Sequence, residues 1–547
     1  MTATAALVLA PTAAAGVLAY PSSQTIRPWG RLPQGSAASV ALNAAIGERE
    51  GAWIVARGAR TVSASIDGYG LGPLKAALYF GHFVKSAGRT APDALLPWNG
   101  ARQATEHRNQ PLYLQVVVPD DARPGGYRAR IRVTADGRVT KVTVSITVYP
   151  VRLPAPDAAQ GNLVAAFHVV PEAYVKKVDE LYHLGSNDAR AQANDSLFDF
   201  LSAYRISPAS WGFGEPRSQA GYTTSRKWWL DAAGNMIRQN EAGFAAMRIP
   251  ISNQRTRAGS RIAGLSPYAP EVWCDYLHSI RSFWEQHGWV SGHVPYLYAL
   301  DEPGVEGMRL VARQAATAHQ CFPGAQVLVT GNPTHRNRYL WNKRGGDDVD
   351  IWAVLSRRYY GRYDAPREKL AALQAVRRAG KTVWSSTYDG VPGTPRYTLT
   401  KPLSDPRMFL LWNALEGIPG TLYAEGTTSY YSGDPFQSLR TGGEYVLLYP
   451  GQRRPIASAR LEQIRDGIED WDIFDIVRRR YGPSAVRRIL GNTGLFSATA
   501  SGVILACTMG CQRAGPTAYS WPRWSHDAAT AAKIEAAHRR ALRLASR

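Results

Sequence analysis

The chain has 547 residues, is 45% hydrophobic and carries 16 Trp and 27 Tyr, which excludes a disordered chain and calls for more than one domain of average size. Its 64 Lys and Arg against 43 Asp and Glu give a net charge of +21. A GC-rich genome that favours Arg codons explains such an excess without function, and attraction to a polyanion, either nucleic acid or an acidic cell-wall glycan, is the sharper reading. Nucleic acid is not an expected partner. The densest basic clusters, Arg478-Arg479-Arg480, Arg487-Arg488 and Arg539-Arg540, fall on helical segments near the C-terminus. No zinc-finger, helix-turn-helix or RNA-binding aromatic pattern accompanies them.

Residues 1–30 begin Ala-rich and apolar, with small-residue steps suited to cleavage, and read as an export signal or a disordered segment. A secreted or cell-surface protein is the corresponding expectation. No stretch reaches the length of a membrane span. Residues 31–152 alternate β-branched and polar residues between turn signals, the pattern of a β-sandwich. Tyr127 to Val133 and Val139 to Val148 read as a hairpin joined at Asp136-Gly137. The Pro-rich stretch from Leu153 to Gly161 reads as a linker.

From 160 to 482 the pattern changes to short apolar runs alternating with helices. The runs are Leu163 to Val169, Ile206 to Phe213, Phe244 to Ile251, Val294 to Leu300, Gln326 to Thr330, Val349 to Val354, Thr382 to Ser386 and Gly420 to Tyr423. Eight such runs fit a (β/α)8 barrel. A doubly wound open sheet is the alternative, but no Gly-rich phosphate loop follows an early run. Residues 458 to 482 read as an amphipathic helix, and 483–547 as an extension ending in a second one. Cys507 and Cys511 could close a small loop in an exported protein. No ligand cluster calls for a metal, and no cofactor is implied.

The fourth run ends Tyr-Leu-Tyr-Ala-Leu-Asp-Glu-Pro, residues 296 to 303. Active sites of barrels are built at the C-terminal ends of the strands, where Asp301 and Glu302 would lie. Asp-Glu-Pro is also a good helix start, so position rather than composition makes the pair a catalytic candidate. Ordinary glycoside hydrolysis needs two carboxyls several ångströms apart. Adjacent ones suit substrate-assisted cleavage, in which the sugar's own 2-acetamido oxygen is the nucleophile. One carboxylate then orients that group, and the other donates a proton to the leaving oxygen.

Together with Leu447 to Val477, which contains Pro450-Gly451, Arg460, Glu462 and Arg465-Asp466-Gly467-Ile468-Glu469-Asp470, this stretch resembles glycoside hydrolase family 123. That family includes β-N-acetylgalactosaminidases. The resemblance covers most of residues 40 to 480 and implies a β-sandwich followed by a (β/α)8 barrel. It further implies Asp301 as the acetamido-orienting residue, Glu302 as general acid and base, and a glycan substrate. Other substrate-binding candidates are run-end residues: Trp211, Glu215, Asn332, Trp352, Trp384, Tyr388, Tyr423 and Glu425. Arg460, Glu462, Arg465, Glu469 and Asp470 lie past the eighth run and read as structural ion pairs.

The family's Trp-Trp-Tyr and Tyr-Trp stretches are here Trp384-Ser385-Ser386 and Tyr423-Ala424-Glu425, which opens a second reading. Glu215 or Glu425 facing Glu302 would allow a two-carboxylate mechanism on a sugar without an acetamido group. A non-catalytic carbohydrate-binding surface protein is the third.

Overall fold

The computed structural model describes residues 16–30, 32–157, 161–209, 236–249, 253–255, 261–263, 270–289, 293–341, 349–355, 366–387, 395–423, 433–499, 502–505 and 528–547. The first nine strands form one sheet folded over on itself. They are β1 (Val17–Pro21), β2 (Ser36–Ala37), β3 (Ser39–Ile46), β4 (Arg49–Asp67), β5 (Lys75–Ser86), β6 (Arg89–Pro97), β7 (Ala101–Val117), β8 (Gly125–Ala135) and β9 (Arg138–Arg152). The main path runs β3-β9-β8-β4-β7-β5-β6. The long β4 belongs to both layers: its first part pairs with β1 and β7, and its last residues pair with β8. Inward residues of the two layers, among them Ile54, Leu114, Ile131 and Ile146, form the sandwich core. On β8 and β9 every second residue is buried, as a sheet with one face in water requires. The hairpin turns at Asp136 and Gly137, both at positive φ, as anticipated. Val17–Pro21 lies inside the stretch read as signal or disordered, yet it is a paired strand of this sheet.

The second body is a barrel. Its strands are β10 (Val164–Phe167), β11 (Ile206–Pro208), β12 (Ala246–Arg248), β15 (Val294–Asp301), β16 (Gln326–Thr330), β17 (Ile351–Leu355), β18 (Thr382–Ser386) and β19 (Gly420–Tyr423); the hairpin β13 (Asn253–Arg255) and β14 (Arg261–Ala263) stands outside it. The barrel's strand pairings among the described residues are all parallel, and β19 returns to β10, which rules out the open doubly wound sheet. Among the described residues β11 and β12 share no ladder, and the Ala246 amide donates to Ser207 Oγ at 3.3 Å across that junction. Small residues line much of the interior, and Trp384 and Tyr296 fill it, edge to face with centroids 5.5 Å apart. Gly420 is required there, because a Cβ would overlap the Trp384 ring.

The helix Ala459–Tyr481 joins the two bodies. It begins at Ser458, whose Oγ accepts from the Leu461 amide at 3.0 Å. Residues 459 to 474 are all buried, so its polar face does not meet water as an amphipathic surface helix would. That face meets the sandwich and the C-terminal helix Ala528–Ala545 in an ionic seam. Arg407 chelates Asp470 at 2.6 and 3.2 Å, and His538 donates to Asp470 at 2.7 Å. Arg465 bonds Glu462 and Asp466, at 2.5 and 2.6 Å, while Gln115 of β7 bonds both oxygens of Glu462. Arg460 is held by Asp93 of β6. Thus Arg460, Glu462, Arg465, Glu469 and Asp470 are structural ion pairs, as their position past the eighth strand suggested.

A disulfide the spacing did not suggest links Cys274 and Cys321. It ties the helix before β15, Pro270–Gln286, to the helix after it, Val305–Cys321. Cys507 and Cys511 lie outside the described residues. Among the described residues no helix is long and apolar enough to cross a membrane.

Candidate active site

Strict alternation along β15 would send Tyr296, Tyr298 and Leu300 into the barrel and Asp301 out. The strand does not keep that phase. A β-bulge falls between Tyr298 and Leu300, and Ala299 and Leu300 both pack outward under the helices. The extra residue turns Asp301 back to the inner side. Glu302 then adopts φ +42°, a left-handed conformation that a non-glycine residue holds only when its surroundings impose it. The two devices bring adjacent carboxylates, both exposed, to the same barrel mouth.

Thr330, the last residue of β16, joins the pair. Its Oγ1 accepts from the Glu302 amide at 2.8 Å and donates to Asp301 Oδ1 at 2.8 Å. Tyr298 donates to the same Oδ1, also at 2.8 Å. Burial first, and Asp301 beside it, hold the Tyr298 hydroxyl well above its ordinary pKa, so it stays a neutral donor. Arg248, the buried end of β12, sets its guanidinium 5.3 Å from the Tyr298 ring centroid and donates to Ala209 O at 2.6 Å. Asp301 is thereby fixed in orientation by two hydroxyls, with a cation behind one of them. Sequence reading missed all three supports. The signals were present: an arginine in the apolar run Phe244 to Ile251, and a threonine closing the strand next to β15.

The other sequence candidates separate. Asn332, half-buried, lies two residues beyond Thr330 at the same end of the barrel, where its carbonyl accepts from Asn337 Nδ2 at 2.9 Å. Trp384 lies inside the barrel, 2% exposed, two residues short of the strand end. Trp352 does not wall the site: it points outward and is wholly buried with Met308, Val327 and Val354 between strands and helices. Tyr423 is likewise turned outward, packed on Phe167 and Tyr397, with its hydroxyl on Glu444 O at 2.7 Å. On both strands the inward positions are their neighbours, Ala353 and Leu422. Trp211, Glu215, Tyr388 and Glu425 lie outside the described residues.

The family model for the glycoside hydrolase 123 catalytic domain matches residues 224–477, which include Asp301, Glu302 and most of the ionic helix. By that match residues 224–477 are a glycoside hydrolase 123 catalytic domain, and the chain is a glycoside hydrolase. Its fold is similar to that of a family 123 glycoside hydrolase from Clostridium perfringens, whose structure was analysed for glycolipid glycan hydrolysis. The TM-score is 0.65 at 12% identity, over 90% of this chain and 95% of that one. A bacterial Ig-like domain-containing GH10 xylanase from termite gut aligns at TM-score 0.34 and 11% identity, over 79% of this chain and 99% of that one. A search of curated protein sequences finds no match.

Proposed function

We propose that the chain is a retaining hydrolase of β-linked N-acetylhexosamine, with GalNAc the preferred sugar, acting through an oxazolinium intermediate. The observation that carries this reading is the adjacency of Asp301 and Glu302 at one mouth, kept by the bulge, the left-handed Glu302 and the shared Thr330. In the first step the acetamido carbonyl oxygen bonds to C1 as the bond from C1 to the leaving oxygen breaks. Asp301 accepts the acetamido N–H and stabilises the positive oxazolinium, and Glu302 gives its proton to the leaving oxygen. In the second step Glu302 takes a proton from water as that water bonds to C1, and the ring of the intermediate reopens. Two displacements at C1 return the original configuration. Asp301 Oδ1 accepts from the hydroxyls of Tyr298 and Thr330, which suits a residue that orients rather than transfers protons. The Cys274–Cys321 disulfide supports action in an oxidising compartment, at the cell surface or beyond.

The test is a panel of p-nitrophenyl glycosides: β-GalNAc, β-GlcNAc, β-galactoside and α-arabinofuranoside, each with Glu302→Gln as control. Release from β-GalNAc that the substitution abolishes is the expected result. Release only from a sugar without an acetamido group would overturn the mechanism.

A further inference from the structure

A second cleft opens where the sandwich meets the barrel, with a volume of about 460 Å³. That is the size of small-ligand pockets, which favour domain seams. The start of β6 with Arg89 and the loop after β18 with Lys401 both line it. The segment before β2 supplies Arg27 and Trp29, and the Trp29 side chain is 52% exposed. The inner wall carries Arg460, whose guanidinium is already taken by Asp93 and by the carbonyls of Tyr397, Gly443 and Val446. Asp93 in turn is taken by Arg460 and Tyr449, so it does not neutralise the remaining cations.

Among the described residues Arg27, Arg89 and Lys401 make no ion pair within 4.0 Å. Lys401 is held below its ordinary pKa by burial, with Asp405 opposing and the cations Arg396 and Arg89 adding to the shift. Lys401 is partly buried and feels Arg89 across the cleft, while Arg89 and Arg27 are exposed and open to a ligand, so an anion entering here would relieve the repulsion on Lys401. A flat exposed ring at the rim offers the other half of sugar recognition, a stacking face.

We propose that this cleft is an accessory glycan site, separate from Asp301 and Glu302, that takes a sugar carrying a carboxylate or sulfate. Arg89 and Lys401 hold the anion, Arg27 adds to the field, and Trp29 stacks on the sugar ring. The site lies at the strand-end side of the barrel, since Lys401 belongs to the loop after β18. It therefore faces the same end as the catalytic pair and can retain an acidic chain while another residue of it is cleaved. It gives part of the +21 charge a specific role. The inference does not depend on which sugar Asp301 and Glu302 cleave.

The test is calorimetric titration of the full chain with three probes: a sulfated hexasaccharide from heparin, a hexagalacturonate and neutral maltohexaose. At least one acidic probe binds and maltohexaose does not. Which acid binds tells sulfate from carboxylate. The double variant Arg89→Ala, Lys401→Ala weakens that binding at least about 10-fold, as loss of two charge-assisted contacts requires. Trp29→Ala, an exposed truncation that leaves the fold intact, weakens it as well. Hydrolysis of a small aryl glycoside stays unchanged in all variants. Binding that the double variant retains would mean diffuse attraction to 64 basic residues and would overturn the proposal. Equal affinity for maltohexaose, or no affinity for either acidic probe, would overturn it too.

Discussion

Two stretches of this chain crowd carboxylates together, and they do opposite work. Asp301 and Glu302 stand exposed at a strand end, held by a bulge, a left-handed residue and two hydroxyls. Asp466, Glu469 and Asp470 are wholly buried, and arginines from the same helix and its neighbours engage them. In composition the second stretch looks more catalytic than the first. The difference is solvent and pairing. A buried carboxylate with an arginine on it holds elements together, because removing either partner strands a charge. An exposed carboxylate on a strained residue stabilises little and is available for chemistry.

Arg407→Ala should separate the two regions most strongly. Arg407 is fully buried among Asp470, Asp466, Glu50 and Glu535, so its loss should cost about 3–5 kcal/mol of stability. Denaturant unfolding measures that cost, and kcat per folded molecule should not change. A loss of kcat without a loss of stability would mean the seam takes part in catalysis. Reducing the Cys274–Cys321 bridge, whose ends are 47 residues apart, should cost about 2–4 kcal/mol. It frees both helices that flank β15, so activity and melting temperature should fall together on titration with a reductant.

Thr330→Val should lower kcat about 10- to 100-fold, the effect of 1.4–2.8 kcal/mol in positioning, with little change in melting temperature. Thr330→Ser should restore it, since Ser keeps the hydroxyl that Asp301 and Glu302 share. Failure of Ser to rescue would mean that Thr330 acts through packing.

The smallest expected effect is on pH. Burial tends to lower His538, but Glu48, Glu50 and Asp470 outweigh it and hold the imidazole well above its ordinary value. Burial raises Glu48 and Asp472 to about 8, against His538 and Arg205 respectively. All three bind protons more tightly folded than unfolded, so the folded state loses stability as these protons leave. The contribution of Glu48 and Asp472 should be greatest near pH 4 and be lost as pH rises to about 8, and that of His538 should be lost from about pH 6.5 upward. Asp470 runs the other way. Burial would raise it, but Arg407 and His538 hold it at about 2, so its contribution is lost only in strong acid, as pH falls from about 4 toward 2. Asp472→Asn should flatten the decline in melting temperature between about pH 4 and 8, and an unchanged decline there would assign it to other groups.

The barrel strands were legible because each is a short apolar run between helices, and period and length carry that information without tertiary context. The Asp301-Glu302 pair was legible from its place at the fourth strand end. The bulge was not, since Tyr298 to Leu300 reads equally well as regular alternation. For the same reason Trp352 and Tyr423 were assigned to the wrong side of the wall: run-end position says nothing about phase, and a one-residue change of phase reverses inside and outside. The helix Ala459–Tyr481 misled in another way. Its polar face was plain, but sequence does not tell a face turned to water from one turned to an ionic seam. The disulfide joins residues far apart in the chain and became visible only when two helices packed side by side.

The most direct test of the central claim compares Asp301→Asn and Glu302→Gln on two β-N-acetylgalactosaminides, one with a 2,4-dinitrophenyl leaving group and one a disaccharide. Glu302→Gln should lose about 10²–10⁴ in kcat/KM on the disaccharide and recover most of it on the aryl substrate, whose leaving group needs no proton. Asp301→Asn should lose activity on both, because stabilising the oxazolinium does not depend on what departs. Equal losses for the two variants on both substrates would contradict the division of roles between these adjacent carboxylates.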